Sequence, residues 1–161
     1  MGGMMAYRDF KIGKDRTFRW QDYCWEEQAY GLLSRFIPSL APLLDKEFQT
    51  IFDLTYHTFC GLKRDTVQFR RAVWYYVHRI YGISNDDYDY AEVNKFVNRK
   101  IKSYVKLVTC DPQRTCKEKW ESFSTELHLH EKIHIALLAS EALRQALVVY
   151  SMYAVSMQMK R

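Results

Sequence analysis

Residues 133–155, IHIALLASEALRQALVVYSMYAV, form the most apolar stretch of this 161-residue chain. The stretch is interrupted by Glu141, Arg144 and Gln145. A membrane-spanning helix needs about 20 consecutive apolar residues with few or no charges, so these interruptions argue against a membrane span. The stretch therefore predicts a long helix, from about residue 129 to residue 157, that is buried in the core of a helical domain.

Helix breakers are sparse in the chain, which contains three prolines and six glycines. Long periodic segments with few breakers favour long helices joined by short turns. We predict five further helices, at about residues 22–36, 42–56, 66–82, 90–108 and 112–124. No segment is typical of a strand. The predicted fold is all-α, a single compact bundle of about five to six helices over residues 20–161, after a loosely ordered segment at residues 1–19.

The composition is that of a globular domain with a mild positive charge. Hydrophobic residues make up 48% of the chain and charged residues 27%, which excludes a disordered protein. The formal net charge is +5. A basic stripe, formed by Lys95, Arg99, Lys102 and Lys106, is explained by the solvated face of a helix. We therefore expect no nucleic-acid partner.

The four cysteines are Cys24, Cys60, Cys110 and Cys116. Their spacing is not that of a zinc site. The N-terminus lacks the apolar core of a secretory signal, so we expect reduced thiols in a cytoplasmic protein. We expect no cofactor.

Arg70 is the anomaly of the third predicted helix. It shares one helical face with Trp74, Val77 and Tyr81, because these residues follow it by 4, 7 and 11 positions. Arg71 can instead point away from this face. A guanidinium on an apolar face needs an anionic partner. That partner is either an internal Asp or Glu, or the carboxylate of a ligand, which arginine binds through two parallel hydrogen bonds.

Residues 130–134, HEKIH, match the H-E-x-x-H signature of zinc proteases. That chemistry needs His130 and His134 on one helix face, with Glu131 polarising a zinc-bound water. Neither a G-x-x-H extension nor a Met-turn pattern follows the motif. The third ligand would be Glu141, which lies on the same helix. We expect no metal, and a zinc-dependent hydrolase is kept as an alternative function.

An acidic cluster, formed by Asp86, Asp87 and Asp89, alternates with Tyr88 and Tyr90 between two predicted helices. The carboxylates can cap the following helix, because a helix N-terminus favours anions. They can also form a docking turn in which charges and rings are exposed together. The spacing lacks the glycine and the distal Glu of an EF-hand calcium loop.

The motifs around this cluster resemble the sestrins. The resemblance is carried by RRAVW (70–74), YVH (76–78), YGI (81–83), DDYDY (86–90), QDY (21–23), LTY (54–56) and EKIH (131–134). It runs from about Phe18 to the C-terminus and concerns only the C-terminal domain of a sestrin. Nothing in the chain corresponds to the N-terminal sestrin domain with its peroxidase-like redox cysteine, so we expect no enzymatic activity.

The resemblance implies a regulatory function. Vertebrate sestrins bind leucine in this domain. They also hold and inhibit the GATOR subcomplex that activates the TOR kinase complex, and release it when leucine binds. The expected partners are therefore GATOR subcomplex proteins and a free, leucine-like amino acid. The expected setting is the response to stress and to reactive oxygen species, in the cytoplasm and the nucleus.

The resemblance also implies roles for individual residues. Arg70 is similar to the residue that takes the leucine carboxylate, and Glu131 to the one that takes its ammonium. The residues similar to the lid and latch over the ligand are Thr55, Tyr56, Thr58 and Thr66. His134 is similar to part of the pocket wall. Asp86 and Asp87 are similar to the pair that docks the GATOR subcomplex. A zwitterion needs one fixed cation and one fixed anion, which agrees with the anomaly at Arg70.

Several positions depart from the family's pattern. Phe69 replaces the leucine beside the clamp arginine, and Ser124 replaces the tryptophan that floors the side-chain pocket. His57 replaces the asparagine after the lid tyrosine, and the loop from Thr58 to Thr66 is one residue shorter. The polar ends of the site persist, so we expect the site to bind a free amino acid, either leucine or a related one. The apolar part has changed, so the residues do not determine which side chain it prefers.

A purely structural helical domain is the remaining alternative. In that case Arg70 pairs internally and serves only the fold. This alternative predicts a contact between Arg70 and a carboxylate of the chain, with no cavity beside it.

Overall fold

The longest helix, α7 (Leu129–Met159), is the element against which most of the other helices pack. The structure is a computed structural model that describes residues 18–55 and 57–160. The other helices are α1 (Tyr30–Phe36), α2 (Leu40–Asp53), α3 (Val67–Ile80), α4 (Ala91–Phe96), α5 (Arg99–Cys110) and α6 (Lys117–Ser122). A π-helical turn, Trp25–Ala29, leads into α1. The predicted all-α class is confirmed, and the predicted long last helix is present.

One face of α7 is buried along most of its length. The buried apolar residues of α7 are Ile135, Leu138, Ala139, Ala142, Ala146 and Val149. Their spacing of three or four residues gives a continuous stripe, and the helix lies against α2, α3 and α5. Among the described residues, α7 is the one helix long and apolar enough to cross a membrane by length and composition alone. A core helix passes the same test, and the packing of α7 is that of a core helix.

Aromatic rings fill the space between α2, α3 and α7. Trp25 is 1% exposed and packs edge-to-face on Phe48, with ring centroids 5.3 Å apart. Its Nε1 donates to Asp45 Oδ1 at 2.9 Å. Trp74 Nε1 donates in the same way to Gln145 Oε1 at 3.0 Å. Each buried indole therefore keeps its hydrogen bond while its ring adds to the core.

Two predicted helices are each divided in the structure, and both divisions have local causes. The predicted helix at 90–108 is two helices, because Asn98 caps α5 with a side-chain oxygen that accepts from the Ile101 amide at 2.9 Å. The predicted helix at 112–124 is a short 3₁₀ turn followed by α6, because Thr115 between them is extended. Prediction of a single continuous helix in either segment was wrong.

Four two-residue strands occur in the described part of the chain, where no strand was predicted. They are β1 (Phe18–Arg19), β2 (Thr58–Phe59), β3 (Leu62–Lys63) and β4 (Ile83–Ser84). β1 pairs in parallel with β4, and β2 with β3 in an antiparallel hairpin. Strands this short have no periodicity that a sequence pattern can reveal. Apart from β1, the segment predicted to be loosely ordered, residues 1–19, lies outside the described residues.

Stability should depend on pH through His78, which lies in α3 and is 2% exposed. Burial lowers its pKa from 6.5 to about 3, against smaller opposing effects of the Ala142 backbone and the Gln145 side chain. The unfolded chain takes up this proton below about pH 6.5, whereas the folded chain does not. The contribution of neutral His78 to the free energy of unfolding is therefore complete above about pH 6.5. It is lost as the pH falls towards 3, at about 1.4 kcal/mol per pH unit.

The measurement is urea unfolding between pH 4 and pH 8. We expect the free energy of unfolding to fall less steeply with acidification in His78→Gln than in the original chain. His57→Gln is the control, because His57 is exposed. An unchanged slope in His78→Gln would contradict the assignment.

Candidate functional site

Arg70 lies in the first turn of α3 and is 1% exposed, as its position on the apolar stripe predicts. Its neighbour Arg71 is exposed. The Arg70 Nε donates to Thr66 Oγ1 at 3.0 Å, and Nη1 donates to the Phe52 carbonyl at 2.7 Å. Nη1 also contacts Asp53 Oδ1 at 3.1 Å, and the Asp53 side chain is 60% exposed. The contact between Arg70 and a carboxylate of the chain, which the structural alternative predicts, is therefore present. Its carboxylate, from Asp53, is exposed to solvent.

Glu131 is the third residue of α7 and is 4% exposed, and both of its oxygens accept from backbone amides. Oε2 accepts from the His128 amide at 2.9 Å and forms part of a capping box at the start of α7. Oε1 accepts from the Gly61 amide at 3.0 Å. Gly61 has a φ of 70°, and a Cβ at this position would collide with the His128 ring. A glycine is therefore required where the hairpin meets the helix.

His134 follows one turn later on the same face of α7. Its Nε2 lies 2.7 Å from the Ile51 carbonyl and donates to it, so Nδ1 is the acceptor for the Thr55 hydroxyl. Burial lowers the pKa of His134; the Ile51 carbonyl opposes this effect and the charge of Arg70 adds to it. The neutral ring therefore connects α7 to the end of α2. There α2 ends at Asp53, earlier than predicted, and Thr55 takes a left-handed φ of 46°.

Seven of the eight predicted ligand residues line one small pocket between α3, α7 and the β2–β3 hairpin, residues 58–63, which we call the lid. They are Thr55, Thr58, Thr66, Phe69, Arg70, Glu131 and His134. The eighth, Tyr56, lies outside the described residues. The pocket volume is about 10 Å³, which is close to the space that one water molecule needs. The structure therefore brings the predicted residues together in a closed pocket.

The apolar wall of the pocket differs from the one that the resemblance implied. Ser124, expected at the floor, does not line the pocket, and Leu127 from the same loop does. Phe123 points elsewhere and stacks on Tyr104, with centroids 4.0 Å apart. Phe59 and Ile135 complete the wall. Leu127 and Phe59 belong to segments without helical period, so no sequence pattern indicated them, whereas Ile135 falls on the buried face of α7.

The lid is held by few contacts. The hydroxyl of Thr58 lies 3.3 Å from His130 Nε2, and the Gly61 amide donates to Glu131. The ring of Phe59 packs on Phe69, with centroids 4.9 Å apart. Opening the pocket would therefore break two side-chain hydrogen bonds and one ring contact. These are small changes compared with the burial of the helical core.

The H-E-x-x-H motif is not arranged as a zinc site. Both ring nitrogens of His134 are engaged by Ile51 and Thr55, and both oxygens of Glu131 by backbone amides. Within the part of the chain that the structure describes, no group of three or more His, Cys, Asp or Glu residues could hold a metal ion. This geometry does not support the zinc hydrolase alternative.

The acidic turn, Asp86 and Asp87, lies at the surface between β4 and α4. The carboxylate that caps the N-terminus of α4 is that of Asp89, whose Oδ1 accepts from the Ala91 amide at 2.9 Å. Of the two roles predicted for the acidic cluster, Asp89 therefore takes the helix-end role. The other two carboxylates remain at the surface.

The backbone of the acidic turn is fixed by its neighbours. Asp86 Oδ2 accepts from Arg19 Nε at 2.9 Å, which connects the turn to β1. The Asp87 amide donates to Asn85 Oδ1 at 3.1 Å. Beside them, Tyr88 packs on a neighbouring ring of α3, Tyr75, at a centroid distance of 4.6 Å. The turn thus presents its charges from a defined position.

Comparison with known proteins identifies a family. The chain matches the family described as PA26 p53-induced protein (sestrin) over residues 3–159. It is 42% identical to human Sestrin-2 over 146 residues, 89% of this chain and 30% of that protein. It is 42% identical to mouse Sestrin-1 over 144 residues, which are 89% of this chain and 29% of that protein. It is also 40% identical to the Sestrin homolog of Dictyostelium discoideum over 154 residues, which are 94% of this chain and 26% of that protein. The chain thus spans about 30% of the length of these curated relatives.

Replacing Glu131 by alanine removes the acceptor of two backbone amides. We expect Glu131→Ala to lower the free energy of unfolding by about 2 kcal/mol, because an N-terminal cap and a buried hydrogen bond are lost together. Glu118→Ala is the control, since Glu118 is an exposed first-turn carboxylate of α6 and its loss costs about 0.5 kcal/mol. Urea unfolding measures both. If both variants lost the same small amount of unfolding free energy, Glu131 would not connect the lid to α7.

Proposed function

The chain belongs to the sestrin family, and on that premise we propose that it is a regulatory domain with two binding surfaces. Arg70 and Glu131 bind a free amino acid of the leucine class. Asp86 and Asp87 dock the GATOR subcomplex, and this contact restrains TOR signalling. The domain acts in the cytoplasm and the nucleus, in the response to nutrients and stress, including reactive oxygen species.

The observation that carries the amino-acid site is the convergence of a buried guanidinium and a buried carboxylate on one pocket. Arg70 is 1% exposed and Glu131 is 4% exposed, and both line the same pocket with apolar walls. Burying either charge is costly without a partner. A free amino acid supplies a carboxylate for the first, an ammonium for the second and an apolar side chain for the walls.

Binding requires the lid to open, because a pocket of about 10 Å³ does not hold an amino acid. The incoming ammonium takes the place of the Gly61 amide on Glu131. The incoming carboxylate takes the place of Asp53 on Arg70. Both displaced groups can be hydrated, since Asp53 and Gly61 are exposed. The ligand therefore exchanges one set of partners for another, and no charge is left unpaired.

The redox activity of the family is not part of the proposal for this chain. Burial raises the pKa of the Cys24 thiol, and it raises the pKa of Cys60 with a further contribution from Glu131. A raised pKa disfavours the thiolate, which is the reactive form. Neither of these two thiols is therefore favoured as a redox site, and we propose a binding function for the chain.

A structural role for Arg70 is the second candidate, and the Arg70–Asp53 ion pair at 3.1 Å favours it. The two functions make opposite use of Asp53. In the structural role, this carboxylate is the partner that Arg70 needs. In the binding role, Asp53 competes with the ligand carboxylate for the same guanidinium.

Amino-acid binding is tested by calorimetric titration of leucine, methionine and isoleucine into the chain. We expect leucine or one of its relatives to bind, and Arg70→Ala to abolish the heat, because the ligand carboxylate loses the buried guanidinium that we propose binds it. Arg71→Ala is the matched control, since Arg71 is the exposed neighbour and should leave affinity unchanged. No heat with any of the three amino acids would remove the sensing role and leave the docking role.

Competition by Asp53 is tested with Asp53→Asn. Asp53 is exposed although Arg70 is buried, and ion pairs open to solvent contribute up to about 1 kcal/mol. The binding role therefore predicts up to about fivefold tighter amino-acid binding in this variant. The structural role predicts lower stability and no change in ligand heat. Calorimetry and urea unfolding of the same preparation separate the two results.

A further inference from the structure

A second cavity lies on the other side of α3 and is distinct from the amino-acid pocket. Its volume is about 230 Å³. Its inner wall is formed by Phe48, Phe52, Trp74, His78 and Gln145, and its mouth by Trp20, Glu26, Gln49, Arg71 and Tyr75. None of these residues lines the amino-acid pocket. We call it the aromatic cavity.

The inner end of the aromatic cavity carries a polar atom without a partner. His78 is 2% exposed, and its Nε2 makes no hydrogen bond. The ring of Trp20 lies beside it, with centroids 5.0 Å apart. Gln145 Oε1 is already occupied by Trp74 Nε1. Nearly all buried polar groups in proteins are hydrogen-bonded, so His78 Nε2 can accept a hydrogen bond from a group that enters this cavity.

The mouth of the aromatic cavity opens into a groove that reaches the acidic turn. This groove has a volume of about 550 Å³ and shares Trp20, Glu26, Arg71 and Tyr75 with the cavity. It continues along Cys24, Glu27, Asn85, Asp87 and Tyr88. The cavity and the groove form one cleft, which we call the docking cleft. It runs from the buried imidazole to Asp87.

The charge of the docking cleft is opposite in sign to that of the chain. Three exposed carboxylates line it, from Glu26, Glu27 and Asp87, against one exposed cation, Arg71. Burial raises the pKa of Tyr75, and the charges of Arg71, Glu26 and Asp87 all act on its hydroxyl. These groups therefore surround one ring. The chain as a whole carries +5, so the cleft is a local site of attraction for a cation.

The shape of the docking cleft suits a peptide segment. Its inner part, the aromatic cavity of about 230 Å³, has room for one large side chain. It suits one large side chain of a peptide whose backbone lies in the wider groove. Trp, Tyr and Arg dominate the affinity of protein interfaces. A tyrosine or tryptophan also brings the hydrogen-bond donor that His78 lacks.

We propose that the docking cleft receives a peptide segment of the docked partner, in which a tyrosine or tryptophan lies next to a lysine or arginine. The ring enters the aromatic cavity and donates to His78 Nε2. The cation lies over Trp20 and Tyr75 and pairs with Glu26, Glu27 or Asp87. The inference rests on the proposed function, because Asp87 belongs to both the acidic turn and the cleft.

The test measures affinity for the purified GATOR subcomplex by biolayer interferometry. Gln49→Trp places a large side chain at the cavity mouth from an exposed position on α2, and Thr50→Trp is its exposed neighbour and control. Glu26→Gln with Glu27→Gln removes two cleft carboxylates, and Glu118→Gln with Glu121→Gln removes two from α6. Asp86→Ala with Asp87→Ala tests the acidic turn. Thermal unfolding verifies that each variant is folded.

We expect both cleft variants to weaken binding by about tenfold or more and both controls to stay within about twofold. If the acidic-turn variant loses binding while both cleft variants bind like the original chain, the cleft inference is overturned and the proposed function stands. If the cleft variants lose binding and the acidic-turn variant does not, the cleft is the docking surface and the role of the acidic turn is wrong. If all variants bind normally, both are wrong.

Discussion

The two hydrogen bonds that Glu131 accepts are the constraint on which the rest of the structure depends. One of them begins α7, the helix on which α2, α3 and α5 pack. The other holds the lid over the pocket through Gly61. A buried carboxylate without these partners would be strongly destabilising. The start of the core helix and the closure of the pocket are therefore maintained by the same side chain.

The proposed amino-acid binding uses the same polar groups that hold the pocket closed. In the closed state, the Gly61 amide and the Asp53 carboxylate occupy Glu131 and Arg70. These are the positions that an ammonium and a carboxylate would take. Under the proposed function, the affinity of an amino acid is the difference between its own contacts and those of the lid, and binding would shift the lid towards its open state. The apolar wall includes Phe69 and Leu127, and these side chains would face the side chain of the proposed ligand.

The sequence predicted the long elements of the fold and the polar ends of the site, because both leave a periodic signal. The helix α7 follows from an apolar run with internal charges, and Arg70 is conspicuous because a cation breaks the apolar stripe of α3. The helix break at Asn98 depends on one capping hydrogen bond, which periodicity does not register. Leu127 and the short strands depend on tertiary contacts. Asp53 was not identified as the partner of Arg70, since pairing between helices leaves no local pattern.

We propose that Arg70 and Glu131 together recognise both charges of a free amino acid. The most direct test is a calorimetric comparison of leucine with N-acetylleucine, which lacks the ammonium, and with leucinamide, which lacks the carboxylate. We expect leucine to bind and each derivative to bind at least about tenfold more weakly, since each leaves one buried charge without its partner. Equal binding of all three compounds, or binding of none, would contradict it.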